Sequence, residues 1–456
     1  MKRYTTLFFG GEKSFFCDEL HHDPAETERE KGLINVYPQV CRQTIEGFGG
    51  AFTDSAGYVF SLMPEALQAQ LIRDYFSEEG LGYTLGRTSI DSCDFSLSCY
   101  ASCDVPGDTV LEHFDVSRSL KHTLPMILRA GEAAGRPMKM MLTPWSPPAW
   151  MKTNADRVGG GELKEEYYGA WAEYICKFIR EYAEAGISVQ MLSPQNEPKA
   201  KQTWDSCLFT GRQEQTFIKE YLYPALLRNG LESVKLLIWD HNKERAFERM
   251  CETICDSEME KIVDGIAVHW YSGDHFEALQ MIRERFPDKQ IVFSEACVEY
   301  SIYAGQNQLK NAQMYAHDMI GDLNHGLSAF LDWNLLLDTQ GGPNHVGNYC
   351  DAPMMYNLKN GVLVKNLSYD YIGHFSRYIK PGAVSIGLSR FDERLEATAA
   401  QNPDGSICVV VLNREEEDIS FYLRICGKVW PVTQKASSIS TYLCSKNECK
   451  SSSERS

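Results

Sequence analysis

The chain has 456 residues, 43% of them hydrophobic and 23% charged, and a formal charge of −17. That acidity argues against a nucleic-acid binder, whose footprint is basic. No stretch reaches the roughly 18 uninterrupted apolar residues of a membrane span, and the length suits one large domain plus a smaller one, or two to three average ones.

The N-terminal residues carry Lys2 and Arg3, but the apolar run at 7–9 is too short for a leader's core. Fifteen cysteines is an odd number without framework-like spacing. Free thiols and no export signal point to a reducing cytoplasm. Residues 33–41 read as a strand, and 1–41 are assigned to a β-domain completed near the other end of the chain.

From residue 42 to 380 eight short apolar segments recur: 44–50, 82–90, 138–143, 189–193, 234–240, 265–270, 290–294 and 327–334. Such compositions mark strands covered on both faces, as in parallel sheets. Helical patterns follow them at 64–76, 115–134, 168–182, 211–227, 243–258, 275–286, 306–323 and 368–379. In the third, Tyr168, Trp171, Ala172, Ile175, Ile179 and Tyr182 share one face, and Gly186 closes the helix. Eight strand–helix pairs predict an α/β fold, a (β/α)₈ barrel. No Gly-x-Gly-x-x-Gly follows the first strand, against a dinucleotide fold. Residues 381–445 alternate like antiparallel strands, with a turn at 402–405, and predict a small β-sandwich joined by the N-terminal strand. The polar tail 446–456 is expected to be disordered.

In such barrels the chemistry sits at strand C-termini. Those ends read Gly47-Phe48-Gly49-Gly50, Arg87 with Asp91 and Asp94, Trp145, Asn196-Glu197-Pro198, Asp240-His241-Asn242, His269-Trp270-Tyr271, Ser294-Glu295-Ala296 and Asp332-Trp333-Asn334. Aromatics and carboxylates dominate and lysine is missing, which disfavours Schiff-base and phosphate chemistry. Aromatic platforms beside amides and carboxylates suit a sugar. Cleaving a glycoside takes two carboxyl groups flanking the bond, one protonated and one ionised. Glu197 ends strand four and Glu295 strand seven.

At these residues the chain resembles glycoside hydrolase family 30, the glucosylceramidase-like family. The likeness runs from about Thr44 to Leu443 through Gly47-Phe48-Gly49-Gly50-Ala51-Phe52-Thr53-Asp54, Tyr75-Phe76-Ser77-Glu78-Glu79-Gly80, Ser92-Cys93-Asp94-Phe95-Ser96, Pro144-Trp145-Ser146-Pro147, Asn196-Glu197-Pro198, Gly265-Ile266-Ala267-Val268-His269-Trp270-Tyr271, Ser294-Glu295-Ala296-Cys297, Asp332-Trp333-Asn334 and Gly341-Gly342-Pro343-Asn344. The resemblance implies a barrel fused to a β-sandwich, retention of anomeric configuration, Glu197 as acid/base and Glu295 as nucleophile. It also implies that Asn196 contacts the 2-hydroxyl, and that Asp94, Trp145, Trp333 and Asn348 hold the sugar. Tyr271 is implied beside the nucleophile, with Arg87 and His269, next to Trp270, in support.

The segment 199–209 departs from the glucosylceramidase pattern: it is charged and short, which speaks against a ceramide-sized aglycone. The expected substrate is a small-molecule or oligosaccharide β-glycoside, most simply a β-glucoside cut from its end. A β-xylosidase, β-fucosidase or β-1,6-glucanase is the alternative within the family, and a non-catalytic sugar-binding barrel the alternative outside it. The proton on Glu197 is expected to be held there by the charge of Glu295. No cofactor and no metal is expected. The pairs Cys251/Cys255 and Cys99/Cys103 lack partner motifs, and His241, His269 and His345 show no ligand spacing.

Overall fold

A computed structural model describes residues 1–449. The chain divides into two compact units, one of residues 48–304 and 329–365, the other of residues 1–47, 305–328 and 366 onward.

The first unit is organised on a closed barrel. Its strands are Gly47–Ala51, Leu85–Ile90, Lys139–Pro144, Ser188–Leu192, Lys235–Asn242, Gly265–His269, Gln290–Glu295 and Leu327–Asp332, each beside the next, the last returning to the first. Leu85, Met141, Met191, Leu237, Ala267, Val292, Ala329 and Leu331 fill the interior. A filled interior leaves only the rim for chemistry. The first strand can contribute nothing larger than glycine at Gly49, where a Cβ would stand 2.0 Å from the Leu85 carbonyl oxygen.

The helix Tyr168–Glu184 buries the face its periodicity predicts and ends before Gly186, at φ 90°. The continuous helix expected over 211–227 is instead interrupted by a π-turn, Ile218–Leu222, between Gly211–Phe217 and Tyr223–Arg228. Pro224 is the reason: it has no N–H, and its ring displaces the carbonyl one turn earlier. A small sheet of Leu337–Asp338, Met354–Asn357 and Val362–Lys365 follows the eighth strand, unforeseen from the sequence.

The second unit carries a nine-strand sheet in the order Lys428–Gln434, Ile419–Ile425, Leu33–Ile45, Ala383–Arg390, Leu395–Gln401, Ile407–Asn413, Ser438–Cys444, Lys2–Phe9 and Glu12–Glu19. It curls into a sandwich: Ile34, Ile386, Val409, Leu423, Trp430 and Tyr442, from six different strands, share one core. The N-terminal hairpin turns at Gly10-Gly11, both at positive φ, as a two-residue primed turn demands. The expected strand 33–41 extends to Ile45.

Two helices of the expected barrel segment 42–380, Gln308–Asn324 and Leu367–Ser376, fall in this unit. Side chains of the first engage the sheet: His317 Nδ1 lies 2.6 Å from Glu396 Oε2, and Asn324 donates to the Ala397 carbonyl at 2.9 Å. Of the tail expected to be disordered, Lys446–Cys449 forms a short helix and the remainder lies outside the described residues. No described helix is long and apolar enough to cross a membrane.

His374 ties this unit together from inside. Its Nδ1 lies 2.8 Å from Thr441 Oγ1 and its Nε2 2.9 Å from Thr6 Oγ1. Burial pushes its pKa down to about 3. An unfolded histidine, near 6.5, therefore takes up a proton first as pH falls. The stability this neutral ring contributes is complete above about pH 6.5 and drains between there and pH 3, by up to about 1.4 kcal/mol per unit. Urea unfolding at pH 7.5 and 5.5 should show a loss that His374→Gln removes; equal losses in both proteins would dismiss the assignment.

Candidate active site

The site is assembled around Arg87, on the second barrel strand and wholly buried. Its guanidinium donates to Glu295 Oε2 at 2.5 Å, to Asn196 Oδ1 at 2.8 Å and to Asp240 Oδ2 at 2.9 Å. It also lies over the rings of Trp145 and Trp333, 4.8 and 5.4 Å from their centroids. Those two indoles stack on each other at 5.2 Å and 21°. One cation thus fixes a carboxylate, an amide and an aromatic wall.

Asp240 is the second hub. It accepts from Ser294 Oγ at 2.5 Å and faces His269 Nε2 at 3.1 Å, and His269 Nδ1 lies 3.2 Å from Glu197 Oε1. A continuous polar chain therefore runs Glu197–His269–Asp240–Arg87–Glu295. The strand ends reach this arrangement through unusual backbone: Glu197 has φ 43° and Asp240 φ 49°. Non-glycine residues rarely adopt such angles, and the surroundings must hold them there. The Glu197 N–H donates to the Asp240 carbonyl at 2.9 Å, one such restraint.

Asp94, Trp145, Asn196, Glu197, Tyr271, Glu295, Trp333 and Asn348 all line one pocket. Asn348 donates to Asp94 Oδ2 at 3.1 Å, and Tyr271 Oη donates to Glu295 Oε1 at 3.0 Å. Arg87 and His269 stand behind this wall, fully buried. Trp270 does not line the pocket; its Nε1 donates to the Cys297 carbonyl at 3.2 Å and supports the seventh strand end. The sequence reading gave no site role to Gln202, Trp204, His241, Asn242, Cys297 or Glu299, which also line the pocket, nor to Asp240 beneath it, although it placed Asp240, His241 and Asn242 at a strand end. Asp240 had a signal, a carboxylate ending a buried apolar strand that must find a partner.

Electrostatics separates the carboxyls, though not as the sequence suggests. Burial alone would raise Glu197, but the flanking His241 and His269 outweigh it and hold its carboxyl well below the usual range. Burial would lower His269, but the charge of Glu295 and its partners Asp240 and Glu197 push it up to about 9. The two shifts favour an ionised Glu197 beside a protonated His269, against the expectation of a proton on Glu197. Asp94 moves the other way: burial, then the charge of Glu295, push it well above the carboxylate range. A carboxyl kept neutral can donate to a sugar hydroxyl.

The spacing argument about histidines also changes. His345 turns aside, its Nδ1 2.8 Å from the Ser96 carbonyl oxygen, whereas His241 and His269 converge on Glu197.

Residues 45–379 match the model of the glycosyl hydrolase family 30 TIM-barrel domain, and residues 382–442 that of the family 30 beta sandwich domain. The chain belongs to glycosyl hydrolase family 30. Its family 30 relatives include putative glucosylceramidase 4 of Caenorhabditis elegans, 35% identical over 429 residues, which cover 91% of this chain and 82% of that one. The crystal structure of SrfJ from Salmonella typhimurium is 41% identical with a TM-score of 0.92, covering 98% of this chain and 100% of that one. The endo-β1,6-glucanase BT3312 is 27% identical with a TM-score of 0.87, covering 98% and 99%. This family 30 chain is accordingly a glycosidase, hydrolysing O-glycosyl bonds.

Removing a charge from the hub should be costly. Asp240→Asn leaves buried Arg87 and His269 short of a counter-charge, and breaking such a pair costs about 3–5 kcal/mol. Chemical denaturation should register a loss of that order, and a loss under about 1 kcal/mol would show that Asp240 does not organise the site.

Proposed function

We propose that this enzyme releases a β-linked glucosyl residue from a small polar aglycone, with retention, using Glu295 as nucleophile and Glu197 as acid/base. The observation that carries the reading is that both carboxyls line one pocket, walled by stacked indoles, Glu295 against Arg87 and Tyr271 and Glu197 against His269 and Gln202. Glu295 accepts from Arg87 on one oxygen and Tyr271 on the other, an environment made for a carboxylate. Glu197 adjoins the proton held by His269.

In the first step Glu295 attacks the anomeric carbon and the bond to the leaving oxygen breaks. Glu197 hands that oxygen a proton, drawn through the His269 contact, leaving a covalent glycosyl-enzyme. In the second step ionised Glu197 takes a proton from water, whose oxygen displaces Glu295. Asn196 Oδ1 is occupied by Arg87, so its amide N–H is the group free to reach the 2-hydroxyl. Asp94 with Asn348, against Trp145 and Trp333, forms the sugar-holding half.

The aglycone side is polar. Gln202 donates to Glu197 Oε2 at 3.3 Å, and Trp204, Asn242 and Glu299 stand nearby in the pocket. Such a lining favours a hydrophilic group over two lipid tails. A second reading, attack on β-1,6-glucan, draws on the likeness to the endo-β1,6-glucanase. Trp204 would then carry a second glucosyl ring. Fifteen free thiols support a cytoplasmic site of action.

Proton NMR of the first-formed sugar from an aryl β-glucoside should show the β-anomer; the α-anomer would refute retention. Glu295→Gln should abolish turnover without changing the fold, and Glu197→Ala should regain turnover of activated aryl glucosides in azide. Full activity of either variant unaided would remove that residue from its role. Trp204→Ala should lower kcat/KM by up to about tenfold for a glucosyl-β-1,6-glucose disaccharide and far less for glucosylceramide, in line with about 0.5–1.5 kcal/mol for a lost ring contact. Equal losses on both would take Trp204 out of aglycone binding.

A further inference from the structure

The geometry points to a transition-metal site formed by Glu197, His241 and His269, where Zn²⁺ binds and blocks hydrolysis. Nothing in the glycosidase chemistry requires such a site. It arises because His241 and His269 belong to neighbouring barrel strands and Glu197 follows the strand before them.

Three ligand atoms, one from each residue, lie within 4.8 Å of one another. Glu197 Oε1 is 3.2 Å from His269 Nδ1 and 3.6 Å from His241 Nδ1. Tetrahedral zinc with bonds of about 2.0–2.1 Å places its ligand atoms ~3.3 Å apart. Two edges of the tetrahedron are therefore already formed to within a few tenths of an ångström, and the third is no longer than 4.8 Å. Two further features mark a ligand set rather than a chance cluster. His241 Nδ1 is buried and makes no hydrogen bond among the described residues. His269 turns its other ring nitrogen to Asp240, 3.1 Å away, and Asp240 is itself held by Arg87 and Ser294. A carboxylate behind the imidazole is the usual support of a ligating histidine, fixing its tautomer and ring plane.

Two imidazoles and one carboxylate select Zn²⁺ or Cu²⁺ over Mg²⁺ or Ca²⁺, which prefer all-oxygen sites. Three protein ligands leave a fourth position for water. A metal there displaces to solvent the proton between His269 Nδ1 and Glu197, occupies the Glu197 oxygen facing the histidines and lies where the aglycone must pass. It acts as an inhibitor, not a cofactor.

Calorimetry of the full chain with ZnCl₂, after EDTA treatment and dialysis, should give a site that His241→Gln weakens by at least about tenfold. Zinc binding of unchanged strength in a folded His241→Gln protein overturns the proposal, as does no binding by the unaltered chain. Co²⁺ reads the ligands without any variant. A tetrahedral d–d spectrum lacking a thiolate charge-transfer band supports the site, whereas a thiolate band assigns the metal to cysteine and overturns it. In the activity arm Zn²⁺ should compete with an aryl β-glucoside, with EDTA restoring the rate. Zinc bound at His241 without inhibition overturns the blocking role. The binding arms do not depend on the catalytic assignment, so the two readings fail separately.

Discussion

A guanidinium buried at the core of a barrel is the constraint on which the site depends. Arg87 has no access to water, and a charge taken out of water must be matched by charge and hydrogen bonds. Its partners come from three other strand ends: Asn196 after the fourth, Asp240 on the fifth and Glu295 on the seventh. Satisfying one cation thereby sets the relative positions of groups far apart in the chain. The flat faces of Trp145 and Trp333 complete the enclosure, so the stacked indoles are held by the same ion that holds Glu295.

The same network divides the labour among carboxyl groups. Five acids, Asp94, Glu197, Asp240, Glu295 and Glu299, lie in or beneath the pocket, and like charges so close cannot all be left to themselves. Asp240 is held low, with Arg87 and His269 opposing its burial; Glu197 is held low by two histidines; Asp94, without a cation, is forced high. Across the Glu197–His269 contact the two shifts run in opposite directions and favour the proton on the imidazole.

The parts of this arrangement that could be read from the sequence obey local rules. Strand periodicity and the strand-end rule located Glu197 and Glu295, because a carboxylate after a buried apolar run has no bland explanation. Asp240 satisfies the same rule, yet its importance lies in Arg87 and His269, 153 and 29 residues away. Pairwise closure of that kind leaves no mark on either local segment. His241 and His269 show no ligand spacing along the chain because their spacing is across the barrel, from one strand to the next. The N-terminal hairpin did carry a signal in Gly10-Gly11, obscured by the single question of whether its apolar run could be a leader. The π-turn at 218–222 was likewise legible in Pro224, since a proline one residue into a helical turn must disturb the turn before it.

The two halves of the pocket are built on different foundations, and that difference bears on specificity. The sugar side rests on strand ends pinned by Arg87 and Asp240, where a shift of any one group would break several buried bonds. The loop after Glu197 carries Gln202, which donates to Glu197 Oε2 at 3.3 Å, and is pinned further along by buried Asp205, which accepts from Arg157 at 2.8 Å and Ser92 at 2.9 Å. Loops on a rigid barrel change at little cost to the core. Change is cheap only over the exposed and half-buried positions 199–204, because Asp205 and Ser206 are buried and bonded to Arg157 and Lys152. A family can keep one cleavage reaction while such exposed stretches vary, and in this chain that stretch brings Gln202 and Trp204 to the pocket.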